Sequence, residues 1–163
     1  MPILRDENGV VYTSLEYINQ LISPTEVGVF KLNKHVPKAL DIYFRQKGMQ
    51  PSTTLSYDTE AHENVHERIQ RSLLPHTNGV GNNEAHLILS GTLIIYIDNG
   101  QGQYAVLLQA GDWIYIDGKS EAWLKLTFEK SFILTSYHSA PIVPVDEFHK
   151  DLKYTSTVIK FIL

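Results

Sequence analysis

The chain contains no cysteine. That excludes disulfides, zinc knuckles, thiolate ligands and a cysteine nucleophile, so any bound metal must rely on histidine and carboxylate. Long apolar runs are missing as well. No segment reaches the ~18 apolar residues that a membrane-crossing helix needs, and the opening MPILRDENGVVY has no basic stretch leading into an apolar one. A cytoplasmic protein with no membrane partner is expected. Positive charge is sparse: Lys and Arg number 14 against 18 Asp and Glu, for a net charge of -4, and basic residues such as Lys31, Lys34, Lys38, Arg45 and Lys47 are scattered. Nothing here tracks a phosphate backbone, so a nucleic-acid partner is not expected. Low-complexity tracts, internal repeats and Pro/Ser-rich linkers are also absent. With 163 residues, 43% of them hydrophobic, the chain can bury one proper core but not two comfortable ones.

What is present changes character near Pro75. Before it, segment types alternate. Asp6-Glu7-Asn8-Gly9 between Ile3-Leu4 and Val10-Val11-Tyr12 reads as a hairpin turn. Ser14 can cap a helix whose apolar Leu15, Ile18, Leu21 and Ile22 fall at helical spacing, with Pro24 just beyond its end. Val27 to Leu32 reads as a strand, Pro37 to Lys47 as a helix stopped by Gly48, and Thr53 to Tyr57 as a further strand. Asp58 or Thr59 can cap a polar helix running towards Leu74. After Pro75 the periods are short and β-like: Leu87 to Leu89, Thr92 to Ile97, Tyr104 to Leu108, Trp113 to Ile116, Trp123 to Phe128, Ser131 to Tyr137 and Tyr154 to Ile162. Such short runs between turns predict a β-barrel or sandwich that closes its own edges.

Two constellations could carry chemistry. His62-Glu63-Asn64-Val65-His66 spells HExxH. On a helix its two histidines share a face and could grip zinc while Glu63 polarises a water. The surrounding AHENVHERIQR is polar and charged, which suits a solvated helical face better than a zinc-protease helix. The second constellation is PHTNGVGNNEAHLILSG, starting at Pro75, followed by the Gly111-Asp112 turn and a strand pair. Glu84 and His86 are two apart, so on a strand they share one face. Gly100-Gln101-Gly102 is too short for a phosphate loop and reads as a hairpin turn. His35, His138 and His149 have no evident partners and are expected at the surface or in structural roles.

On this second constellation the chain resembles the cupins, and among them the acireductone dioxygenases. The residues from His76 to Gly91 are similar to the family's first motif, and Gly111-Asp112-Trp113-Ile114-Tyr115-Ile116 through Trp123-Leu124 to its second. The resemblance is firm from Pro75 to Tyr137 and loose at the N-terminus. It implies a mainly β, cupin-like barrel (a double-stranded β-helix or jelly roll): one domain, 1–163, with 1–74 as an N-terminal α/β elaboration and 75–163 as barrel core and C-terminal strand. In the family, imidazoles and one carboxylate at the barrel mouth hold Fe(II) or Ni(II) and leave open positions where an enediolate meets O₂.

The same resemblance marks departures. His76 matches the first His and Glu84 the carboxylate, but Asn78 stands at the second His and Ala122 at the last, and the loop from His76 to Glu84 is longer than the family spacing. His86 replaces an Arg of the family, and a second Arg, on the late strand, falls at Thr135.

Three readings stay open. The first is a divergent dioxygenase-type oxidoreductase or related cupin enzyme acting on a small enediol or keto-acid, with His76, Glu84 and His86 as metal ligands. The second is a metal-free cupin that binds a small molecule or does acid/base chemistry through Glu84, His86 or Glu121. The HExxH hydrolase is third. A small-molecule ligand is the expected partner, and the chain is expected to be a monomer or homodimer.

Overall fold

The structure, a computed structural model, describes residues 1–33, 35–58, 83–126 and 131–139. Strands β1 (Ile3–Asp6) and β2 (Val11–Tyr12) form the expected hairpin, and helix α1 (Leu15–Ile22) follows. Ser14 takes the N-cap position in extended backbone, although its hydroxyl makes no capping hydrogen bond. The helix buries Ile18 and Ile22, and the Asn19 side chain brackets β3 (Glu26–Val29), donating to the Val27 carbonyl and accepting from the Val27 N–H. Helix α2 (Lys38–Gln46) starts after Pro37 and ends before Gly48, whose positive φ allows the chain to turn away. The strand expected over Thr53 to Tyr57 is longer, β4 (Gln50–Asp58). The polar helix towards Leu74 and the strand from Tyr154 to Ile162 lie outside the described residues.

The remaining strands are β5 (Glu84–Ser90), β6 (Thr92–Asp98), β7 (Gln103–Gln109), β8 (Asp112–Ile116), β9 (Glu121–Leu126) and β10 (Ser131–His138). Among the described residues they complete two five-stranded sheets, ordered β2-β1-β7-β6-β9 and β3-β8-β5-β10-β4, with antiparallel pairing throughout. Strands from the first 58 residues are woven into both sheets.

Alternation along the second sheet decides what each face does. Ala85, Leu87, Tyr115 and Tyr137 point to one side and pack with Phe44 and Met49, with Tyr43, Leu40 and Trp113 at the margin. Helix α2 thus covers this face, its Phe44 ring 5.0 Å from Tyr137 and 5.7 Å from Trp113. Ile88, Ile114, Ile116 and Leu134 point to the other side. They join one core with Leu4, Leu93, Ile95 and Val106 of the first sheet, so this is the interior between the sheets.

Two glycines are fixed by geometry. Gly111, with φ +92, makes the tight β7–β8 turn and donates its N–H to the Ile88 carbonyl. Gly28 lies against Trp113, where an added Cβ would come within 2.5 Å of the indole.

Candidate functional site

The apolar run predicts a first core strand starting at Leu87, with a polar loop before it. In the structure the strand begins at Glu84, so Glu84 and His86 are interior strand residues. A polar residue at a strand start reads as loop unless its neighbours are known. Register then supplies the neighbours. His138 lies opposite Glu84 and Ser136 opposite His86 on β10, while Ile116 and Ile114 flank the same two residues on β8. Directly opposed residues of an antiparallel pair project to one face. Glu84, His86, Ser136 and His138 therefore form a polar patch on the interior face, at the end of a wall otherwise made by Ile88, Ile114, Ile116 and Leu134.

The patch is dry. Glu84 is 1% exposed, His86 2%, Ser136 1% and His138 8%. The other buried polar side chains among the described residues tie loops together. Thr25 donates to Ser120 and accepts from the Asp117 N–H, and Asp112 accepts the Gln109 N–H at 2.9 Å. The quartet is set apart because it faces its own members. His86 Nδ1 lies 2.7 Å from Ser136 Oγ, His86 Nε2 lies 3.5 Å from Glu84 Oε2, and the His138 ring stands edge-on to His86 with centroids 6.1 Å apart. His86 Nε2 makes no hydrogen bond. Burial lowers the His86 pKa from 6.5 to about 4, because desolvation disfavours the imidazolium. At neutral pH the ring is uncharged, and its approach to Glu84 is a polar contact rather than an ion pair.

The ends of these strands are held by Asn83. Its N–H donates to Ser139 Oγ at 2.6 Å, its carbonyl accepts the Ser139 N–H, and its side-chain oxygen accepts the Gly118 N–H at 2.9 Å. One residue before Glu84, this bonding locks β5 to the end of β10 and to the β8–β9 turn.

The structure brings Glu84 and His86 together as expected. Glu121 is placed by its backbone alone, in register with Asp98 on β6, while Ala122 sits opposite Ile97 and is fully buried in the core. His76 and the HExxH residues His62, Glu63 and His66 lie outside the described residues. His35 is exposed.

Register places two residues of the late strand. His138 is buried with its ring edge-on to His86, so of the two roles expected for it the surface one does not hold. On the late strand, Thr135 pairs with Leu87 and so belongs to the helix-covered face, whereas Ser136 takes the interior position. The period-two spacing of Ser136 and His138 was the available signal, but it shows which face they take only once β10 is paired to β5.

The metal implied by the resemblance can be tested against these donors. Fe(II) or Ni(II) needs several imidazole and carboxylate ligands converging on one point. Among the described residues no group of three or more His, Asp or Glu is gathered to hold a metal ion. Where the family carries its last histidine, Ala122 offers only a methyl group. Among the described residues the donors in contact are Glu84 and His86, a carboxyl group beside an uncharged imidazole.

No family model matches the chain, and neither does any curated protein. Among solved structures, it is similar to an acireductone dioxygenase from Bacillus anthracis with a cadmium ion in its active centre. The TM-score is 0.67 at 15% identity, covering 89% of this chain and 98% of that one. The fold is a cupin barrel. A TDP-fucose-3,4-ketoisomerase from Campylobacter jejuni also matches, with TM-score 0.47, 16% identity, and coverage of 82% of this chain and 98% of that one. At 15% identity the likeness to the first of these establishes the fold and no activity. No helix among the described residues is long and apolar enough to cross a membrane.

Proposed function

We propose that this cupin binds a small enediol or keto-acid-type molecule between its sheets and moves protons on it with Glu84 and His86, without a resident metal. The observation that carries the reading is the buried contact between Glu84 Oε2 and His86 Nε2, 3.5 Å apart in a polar patch at the end of an aliphatic interior wall. Burying two such groups side by side is unfavourable unless something repays it, and perturbed titratable residues of this kind cluster at functional sites. A carboxylate and an uncharged imidazole at this spacing can accept a proton from one atom of a bound hydroxyketone and return it to the neighbouring atom. The Ser136 hydroxyl holds the far side of the ring, keeping Nε2 directed at Glu84.

The test combines three measurements. Elemental analysis of protein purified without chelator should show no stoichiometric transition metal; near-stoichiometric iron or nickel would favour the dioxygenase-type reading instead. Calorimetric titration with a panel of small hydroxyketones and keto-acids should find a ligand whose affinity falls at least about tenfold, or 1.4 kcal/mol, in Glu84→Gln. Incubation in deuterated water should exchange deuterium into the carbon next to that ligand's carbonyl with the unmodified protein and not with Glu84→Gln. A ligand that binds Glu84→Gln unchanged would sink the proposal.

A further inference from the structure

Glu84 opens its strand, and the end of a strand is where backbone pairing holds least. We infer that Asn83 is the positioning residue of the Glu84–His86 pair: it clamps the chain immediately before Glu84 to three separate elements and so fixes the carboxylate against the imidazole. The clamp is a matter of geometry; its effect on rate rests on the proton-transfer reading above.

Each of the four polar atoms of Asn83 has a partner. Its N–H donates to Ser139 Oγ at 2.6 Å, and its carbonyl accepts the Ser139 N–H at 3.0 Å. Its Oδ1 accepts the Gly118 N–H at 2.9 Å, and its Nδ2 donates to the Lys47 carbonyl at 3.4 Å. Ser139 follows His138, the residue opposite Glu84 on β10, and Gly118 lies just past Ile116, the residue opposite Glu84 on β8. Both neighbouring strands are therefore tied to the chain one step beyond the last ladder pair.

The third anchor is itself held. Lys47 caps the C-terminal end of α2, and its carbonyl is among those a helix leaves without an internal partner. Its ammonium lies 5.0 Å from the centre of the Tyr43 ring and 4.4 Å from that of Tyr115, a cation–π seat that ties the helix end to the sheet. Tyr115 stands opposite Ala85, the residue between Glu84 and His86. A short side chain with acceptor and donor on one planar group serves Gly118 and Lys47 at once. Aspartate lacks the donor, and alanine takes the acceptor away from the buried Gly118.

Position matters because Glu84 and His86 meet through their side chains. Residues two apart on a strand have Cα atoms roughly 7 Å apart, yet Glu84 Oε2 and His86 Nε2 approach to 3.5 Å. A small rotation of the Glu84 backbone swings the carboxylate away from the ring, and a misplacement of about 1 Å can cost ~100-fold in rate.

The test compares the full chain with Asn83→Ala, Asn83→Asp and, as a destabilised control on the helix-covered face, Gly28→Ala. The His86 ring signals, assigned with His86→Asn, are read by NMR without ligand; deuterium exchange into dihydroxyacetone is read as kcat and KM. Asn83→Ala should shift the His86 ring signals and lower kcat at least about tenfold, with KM little changed. Asn83→Asp, which keeps the acceptor for Gly118, should restore most of both, and Gly28→Ala should move neither. If Asn83→Ala does not fold, Ser139→Ala, which removes the hydroxyl that takes the Asn83 N–H, should act in the same direction. Unchanged ring signals in the clamp variants, or an equal loss of kcat in Gly28→Ala, would overturn the inference. If the unmodified protein exchanges no hydroxyketone, the proton-transfer reading falls and the ring signals alone decide the clamp.

Discussion

His86 links burial to stability through its proton. Its folded-state pKa of about 4 lies below the unfolded value of 6.5. Above pH 6.5 neither state holds the proton and the residue contributes no pH dependence. As pH falls below 6.5 the unfolded chain takes up the proton first, so stability is lost progressively until about pH 4, where the folded state also protonates. The full loss is on the order of 3 kcal/mol. Urea denaturation across that window should show the decline, and His86→Asn, whose amide can still donate towards Ser136, should flatten it. An unchanged slope in the variant would assign the effect to another group. At this scale the sequence showed Glu84 and His86 as a pair, because two residues on one strand share a face. It could not show Ser136 and His138 as their neighbours, since that contact spans 50 residues between His86 and Ser136 and depends on register.

At the scale of elements, α2 keeps the outer face of the patch-bearing sheet dry. Phe44 is fully buried between Tyr137 and Trp113, and Tyr137 donates to Asp41 at 2.5 Å, which together with Arg45 holds that carboxylate below its ordinary pKa. Phe44→Ala should destabilise the fold by about 3–5 kcal/mol, the usual cost of a vacated aromatic site, measurable by chemical denaturation. Gly28 on β3 serves the same face from the sheet edge. Because an added Cβ would meet Trp113 at 2.5 Å, and that indole is itself packed 5.8 Å from Tyr43 and 5.7 Å from Phe44, Gly28→Ala should cost about 1–3 kcal/mol. A thermal midpoint unchanged by the substitution would mean that the indole moves aside freely. Both helices and the hairpin were legible as elements, since their apolar spacing and turn residues are local signals. Boundaries were less so: β5 begins three residues before its apolar run, because its first positions face a polar interior patch instead of solvent or core.

Over the whole molecule, the two sheets turn one apolar wall into a container. Composition bounded it from the start. The lack of cysteine left histidine and carboxylate as the side chains for binding a metal, and the succession of short strands after Pro75 with turns at Gly91, Asn99-Gly100 and Gly111-Asp112 predicted a closed β architecture, which the cupin barrel bears out. Those are properties of local pattern, and local pattern is carried by the sequence itself. The joining of β1, β2, β3 and β4 to the later strands, the burial of His138, the interior place of Ser136 and the 3.5 Å approach of Glu84 to His86 were decided by tertiary structure alone. Each is set by strand pairing between distant segments, and a shift of one residue in that pairing would turn every one of these side chains to the opposite face.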